Sequence, residues 1–525
     1  MDTPIPLDDR ALGELTLHHL ETVVAIDSQS DETSSTIPSS EGQRRLSELV
    51  ARFFAGHGAA VETDPHGNVI ATLPGRGAGA DAPPIALLVH LDTARGTAAV
   101  PHLHRAPAWD GSPVHYPGNP ALRVDVATYP QLAEFVGHTI VHGPGVAPFG
   151  LDDKLGLAHM MTLATVLARE PALAHPPLLL IGRPDEEIGR MEAVTGLAAL
   201  LAARGVRSGY TIDGILPFEV NTANFNGAHA SLVFAGMRLA SDDATLALEL
   251  RGVNTHGATA HAEGHRAATR LAVEILAAAP AGVAPLTFDS DALRDCDGTL
   301  VVSVPASARA DLEAAARRVT DPHAPRGAGV TLRDATADEI ARATTATASM
   351  LSWVRAFLAS SLRAPASDRT LPLLAEDSFG WLGYSHPYRA HTDPDGSVRL
   401  DVRLRDFDPA LLEARKAHVA ALAVGHAEAT LRDQYVDMGP RLATRPDLAA
   451  HAVAAAADVG VSARQDPIRG GTGVDPFLDM GTAIANLGTG YFAPESEKEL
   501  TSLELMAGHA RWLVALVGRL AAVRG

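Results

Sequence analysis

Apolar and polar positions fall into two textures along the chain. Up to residue 213, short apolar runs bounded by Pro or Gly at 85–90, 177–182 and 210–213 predict buried strands. Helical patterns at 12–26, from 41 onward, at 154–169 and at 191–203 fill the intervals before and between them. Strands apolar on both sides and separated by helices predict an α/β fold: a mostly parallel sheet with helices on both faces. Beyond this block the texture changes. Strand-like segments at 230–235, 245–251, 299–304, 397–405 and 429–435 mix with helical patterns at 263–278, 309–319, 337–361 and 409–422, and a Pro/Gly-containing break stands at 321–329. This stretch predicts an α+β domain inserted into the first, and its surplus of strand-helix pairs leaves an internal duplication open. A helix at 448–458, an apolar run at 482–487 and a helix at 503–523 return to complete the first sheet. The predicted organisation is a first domain in two parts, 1–218 and 439–525, interrupted by an enlarged insertion at 219–438.

Composition narrows the chemistry. A length of 525 residues suits two or three domains of roughly 100–200 residues, with room for a cleft. The 43 Lys and Arg against 62 Asp and Glu leave a formal charge of −19, which disfavours a nucleic-acid partner. No stretch approaches the ~20 apolar residues that span a bilayer, and the opening Met-Asp-Thr-Pro-Ile-Pro-Leu-Asp-Asp carries acids where a signal peptide carries bases. The expectation is a cytoplasmic protein with no membrane partner. The single cysteine, Cys296, excludes an intrachain disulfide and a thiolate zinc knuckle, so a metal would be held by His, Asp and Glu.

Four motifs stand at or just after strand ends, where open α/β sheets place their sites. In His90-Leu-Asp92-Thr93, residues two apart on an extended chain project to one side, so His90 can ligate a metal while Asp92 holds its other ring nitrogen. Gly150-Leu-Asp152-Asp153-Lys154 opens a helix with a carboxylate able to bridge two ions. In Pro184-Asp-Glu186-Glu187 adjacent glutamates point apart, so that one can bind metal and its neighbour stay free as a general base. Asp213-Gly214 ends a strand. Each motif has a bland alternative: a surface pair, a helix cap, a solvated acidic turn. Their order along the chain is what favours chemistry. His261 and His265 lie four apart but lack the His-Glu-x-x-His order, and Cys296 between Asp295 and Asp297 is a poor nucleophile because neighbouring carboxylates raise a thiol pKa.

Together with Ile37-Pro-Ser-Ser-Glu-Gly-Gln43, Thr211-Ile-Asp-Gly214, Arg405-Asp-Phe-Asp408 and Pro467-Ile-Arg-Gly-Gly-Thr472, these motifs resemble peptidase T, the tripeptidase branch of the dinuclear zinc peptidase and aminoacylase clan. The resemblance implies His90, Asp152, Glu187 and Asp213 as metal ligands, with Asp152 bridging two zinc ions. It implies Glu186 as the general base and Asp92 as the orienter of His90. The insertion resembles the family's lid and dimerisation domain. Within it, Asn254-Thr-His256-Gly-Ala-Thr259 matches the segment whose histidine stabilises the tetrahedral oxyanion, the alternative being a satisfied histidine in a polar turn. Arg405 and Arg469 are candidates for a substrate carboxylate, the alternative for both being a structural salt bridge.

Two departures qualify the match. Where the family has its final histidine ligand, a gapless reading places Glu495. Glutamate is a competent ligand, so the second ion can persist as zinc, give way to Mn or Co, or be lost, with Glu497 and Glu499 as further candidates. The insertion is also longer than the family pattern needs, which leaves a homodimer and a monomer with an enlarged lid both open. The loop Gly471-Thr-Gly-Val474 lacks the aspartate that usually follows the threonine. The expected function is a metal-dependent hydrolase acting on a small peptide or amide substrate. Alternatives are a relative hydrolysing a non-peptide C–N bond and a non-catalytic binding protein with a degenerate second metal site.

Overall fold

The computed structural model describes residues 8–239, 245–365 and 367–523. It divides into two compact units, Met1–Asn224 with Asp437–Gly525, and Phe225–Val436. The sequence-based limits were 218/219 and 438/439.

The first unit is built on a seven-stranded sheet. Its strands are β1 (Ala60–Thr63), β2 (Val69–Leu73), β3 (Ile85–His90), β4 (Leu178–Arg183), β5 (Ser208–Gly214), β6 (Val220–Asn221) and β7 (Ala483–Gly488), in the spatial order β1-β2-β4-β3-β5-β7-β6. The central strands β4, β3, β5 and β7 run parallel, while β1, β2 and β6 join antiparallel at the edges. The sheet is thus parallel through its centre, as expected, with antiparallel strands at its edges. The central strands are buried almost throughout, as strands covered on both faces must be, and so read as apolar runs. The edge strand β1 is largely exposed and leaves no such run. Helix Leu151–Arg169 packs on β3 and β5 and against helices Asp9–Val24 and Leu503–Leu520. Its residues 153–167 are all buried, the signature of a helix enclosed on every side. A small antiparallel sheet of His104–Ala106, Ile140–His142 and Leu500–Ser502 ties the segment after β7 to the stretch preceding that helix.

The second unit holds two four-stranded antiparallel sheets over one shared apolar core. One orders its strands Ala284–Ser290, Gly298–Ser303, Thr245–Arg251, Gly329–Asp334; the other Tyr384–Thr392, Val398–Asp406, Asn226–Phe234, Glu428–Tyr435. Numbered along the chain within each sheet, both read 2-3-1-4, and in both a helix separates the third strand from the fourth. The second strands of the two sheets lie side by side and antiparallel: the Thr392 amide donates to Asp289, the Ala390 amide to the Ser290 hydroxyl. Two sheets of one strand order thus meet along corresponding edge strands.

Two predicted helices are broken. The pattern at 337–361 is two helices, Ala337–Ala341 and Thr345–Ala359: Thr336 and Glu339 form a capping box on the first, and the Thr344 side chain caps the second. The pattern at 263–278 is likewise Ala260–Glu263 and Ala268–Ala278, the first stopped by Gly264 at φ +71°. Strand Tyr384–Thr392 was unread because Pro387 interrupts it, at a bulge on a sheet edge where a missing donor is tolerated. Among the described residues no helix is long and apolar enough to cross a membrane.

Candidate metal centre

Parallel strands bring their C-terminal ends to one edge, and there the first unit collects His90 from the end of β3, the 184–187 turn after β4, and Asp213 near the end of β5. The first turn of helix Leu151–Arg169 adds Asp152 and Asp153, whose connecting peptide is cis. His90 is buried, with Nε2 2.9 Å from Asp152 Oδ1 and 3.4 Å from Asp213 Oδ1. Its Nδ1 lies 3.3 Å from Asp92 Oδ1. Asp92, fully enclosed, also accepts the Glu186 amide on Oδ1 and the Glu187 amide on Oδ2, both at 3.0 Å. One carboxylate thus fixes the histidine and the backbone of both glutamates. Ligand atoms of His90, Asp152 and Glu187 lie within 4.8 Å of one another, as do those of His90, Asp153 and Asp213. Asp153 was not assigned from the sequence; its Oδ2 accepts the backbone N–H of His90 at 3.1 Å.

The electrostatics fit a cation at this cluster. Burial, then the charges of Glu495 and Asp152, push the Glu187 carboxyl well up, and its Oε1 is buried without a hydrogen-bond partner. Burial raises Asp213 to about 7 against the opposing pull of His90, and burial followed by the Asp213 charge raises Asp153. Burial would lower His90, but Asp213, Asp152 and Asp92 outweigh it and the net direction is up. Crowded carboxylates and an orphaned carboxylate oxygen around one imidazole are the donor set that a divalent ion satisfies.

The surrounding contacts explain other motifs. Asp185 holds the left-handed conformation at φ +55°, where a non-glycine residue is strained, and is fully buried. Its carboxylate accepts from the amide and hydroxyl of Ser39 and from Gln43 Nε2, so the Ile37–Gln43 motif braces the glutamate turn. Tyr491, also unread, donates its hydroxyl to Asp152 Oδ2 at 3.1 Å. Glu495 stands at φ +54°, its charge felt by Glu187, and its amide donates to Glu499 Oε1. Glu499 is a brace rather than a ligand: Oε2 takes the amides of Phe149, Gly150 and Leu151, and burial pushes the carboxyl up to about 8. Burial, then the charge of Glu497, pushes the Tyr116 hydroxyl up.

Arg469 belongs to the first unit, in the loop whose Thr472 carbonyl accepts from Arg183. His256 and Arg405 belong to the second unit. His256 Nδ1 accepts the Ala258 amide, while Arg405 donates to the Ala228 carbonyl and to Gln434 Oε1 and lies over the Tyr435 ring at 5.0 Å. His261 and His265 do not face one another: the first meets the Glu376 carbonyl, the second His386 and Thr255.

A parallel-centred sheet gathering one histidine and several carboxylates at its strand ends defines the class: an α/β domain with a candidate metal centre. The particular likeness is to peptidase T. The chain is 34% identical over 224 residues to peptidase T of Exiguobacterium sibiricum, covering 42% of this chain and 53% of that protein. It is 33% identical over 266 residues to peptidase T of Bacillus cereus (strain ATCC 10987 / NRS 248), covering 50% and 59%. It thus spans somewhat over half the length of the curated relatives it matches, and over that span it is peptidase T-like. In fold it is similar to the aminopeptidase PepT from Bacillus cereus ATCC 10987, at a TM-score of 0.50 and 17% identity over 97% of this chain and 99% of that one. The tripeptidase from Staphylococcus aureus subsp. aureus mu50 gives a TM-score of 0.53 at 14% identity over 97% and 99%. No family model matches the chain.

Proposed function

We propose that the protein is a metal-dependent hydrolase of peptide or amide bonds, with small peptides as substrates and Glu186 as general base. The observation that carries this reading is the Asp92 carboxylate, which orients His90 and at the same time holds the amides of Glu186 and Glu187. The residues that would hold two ions are His90, Asp152, Asp213, Glu187 and Glu495. When bound, such ions, zinc or else Mn or Co, supply a water of lowered pKa and polarise the scissile carbonyl. Glu186 takes the proton of the attacking water and delivers it to the leaving amine. The likeness to proteins named peptidase T supports a peptide substrate. We assign a substrate carboxylate to Arg469, which lies in the same unit as the metal cluster. The doubled fold of the second unit, meeting at like edges, supports a monomer whose lid carries within one chain what a dimer assembles from two.

The test is Glu186→Gln, assayed on tripeptides with metal content measured in parallel. The expected result is retained metal and a kcat lower by about 10²–10⁴-fold, the range of a general base. A variant with full metal and full activity overturns the assignment.

A further inference from the structure

Arg183 closes β4, three residues before Glu186, and is only 2% exposed. Its Nη2 donates to the Thr472 carbonyl at 2.9 Å and stands 3.5 Å from Oε1 of Glu186. Its Nε is buried with no hydrogen-bond partner. A buried guanidinium requires a countercharge, and this one faces Glu186. Across from it the chain has Gly473, at φ +56°: a Cβ there would lie 2.4 Å from Nη1 of Arg183 and 2.9 Å from Oε1 of Glu186. The missing side chain at 473 is therefore the space the pair occupies. The loop also lacks an aspartate directly after Thr472, so at that position nothing competes with Glu186 for the guanidinium.

We propose that Arg183 is a positioning residue for Glu186, and that Gly473 is the gap that admits it. Glu186 lies among like charges: Asp92 and Asp152 both act on it, and both repel it. Arg183, anchored on the Thr472 carbonyl, supplies the larger of two opposing attractions, the other being His90, and its 3.5 Å ion pair holds the carboxylate in place. The inference rests on Glu186 being the general base.

The test uses the metal-loaded enzyme and the variants Arg183→Met, Arg183→Lys, Gly473→Ala and the double variant Arg183→Met/Gly473→Ala, with kcat, KM, bound metal and melting temperature measured for each. Misplacing a reacting group costs about 10–100-fold, so Arg183→Met is expected to lower kcat by that much with KM and metal content held, and Arg183→Lys to recover part of the loss. Gly473→Ala is expected to lower kcat on its own and to cost less once Arg183 is gone, because only the contact of its Cβ with Oε1 of Glu186 then remains. Wild-type kcat in Arg183→Met, or an alanine effect that adds in full, overturns the proposal. If Arg183→Met does not fold, Gly473→Ala decides: a folded protein with unchanged kcat overturns it, and a kcat loss at unchanged metal content upholds it. An active Glu186→Gln enzyme would remove the base assignment itself. An inactive Glu186→Gln beside a fully active Arg183→Met would remove only the role of Arg183.

Discussion

The Asp92 carboxylate lies 3.3 Å from Nδ1 of His90 and accepts one amide from each of the two glutamates that follow β4. A second-layer carboxylate of this kind sets the tautomer and orientation of a ligating imidazole, and its loss typically costs 10–100-fold in metal affinity. Asp92→Asn keeps one side-chain acceptor, whereas Asp92→Ala keeps only the backbone carbonyl, 3.0 Å from His90 Nδ1. We expect affinity for zinc to fall by about tenfold in the first and about 100-fold in the second, with kcat falling further in the alanine variant because both glutamate amides lose their anchor. Competition with a chelator of known affinity, alongside tripeptide turnover, measures both. Unchanged metal affinity in Asp92→Ala would show that Asp92 braces the loop without serving the ligand.

Glu495 is the partner whose charge acts most strongly on Glu187 after burial. Replacing it with histidine removes one negative charge and adds a softer nitrogen donor. The backbone at φ +54° also suits histidine, one of the residues enriched in that region. Glu495→His is therefore expected to bind zinc more tightly at the second position, read by titration calorimetry against the wild type. Equal stoichiometry and equal affinity would place Glu495 away from the metal.

The second unit carries two sheets of one strand order, joined along the edges Ala284–Ser290 and Tyr384–Thr392. If the added fold stands in for a partner's, the protein needs none. Light scattering behind size exclusion is expected to return the mass of one chain, 54.8 kDa, across a wide range of concentration. A stable dimer with full activity would show that the doubling has another purpose.

These relationships were legible from the sequence to different depths. His90, Asp152, Glu187 and Asp213 could be read because each follows or closes an apolar run or opens a buried helix, so strand ends and motifs coincide. Asp92 could be read because two residues on extended backbone share a side. The contact of Arg183 with Thr472 and Gly473 could not, since it joins positions 289 and more apart whose meeting depends on how β4 and the 468–474 loop pack. The bracing contacts of Glu499 were hidden for a similar reason: its partners, the amides of 149–151, lie 348–350 positions away in the chain. The break in the 337–361 helix depends on a threonine cap in a pattern whose periodicity runs on across it.

Acid sensitivity follows from histidines that the fold keeps neutral. Burial holds His159 down to about 4; it lies inside helix Leu151–Arg169, donates Nε2 to the Thr489 carbonyl at 3.0 Å and stacks on His509. Burial likewise lowers His142 to about 4 and, with the charge of His18, lowers His19 to about 3. In each case the folded pKa lies below the unfolded value of 6.5, so the unfolded chain takes up the proton first as pH falls. Their stabilising effect is complete above about pH 6.5 and is lost progressively as the pH falls toward 4. For His159, which has no exposed surface, the loss between pH 7 and pH 5 is about 2 kcal/mol. Urea unfolding of the wild type and of His159→Gln, at both pH values in one metal-containing buffer of fixed ionic strength, isolates this term because metal release is common to both proteins. The variant is expected to be the less stable at pH 7, having lost packing against His509, and to close most of that gap at pH 5. A gap that stays constant between the two values would mean that His159 is protonated in the folded state as readily as in the unfolded one, against its burial.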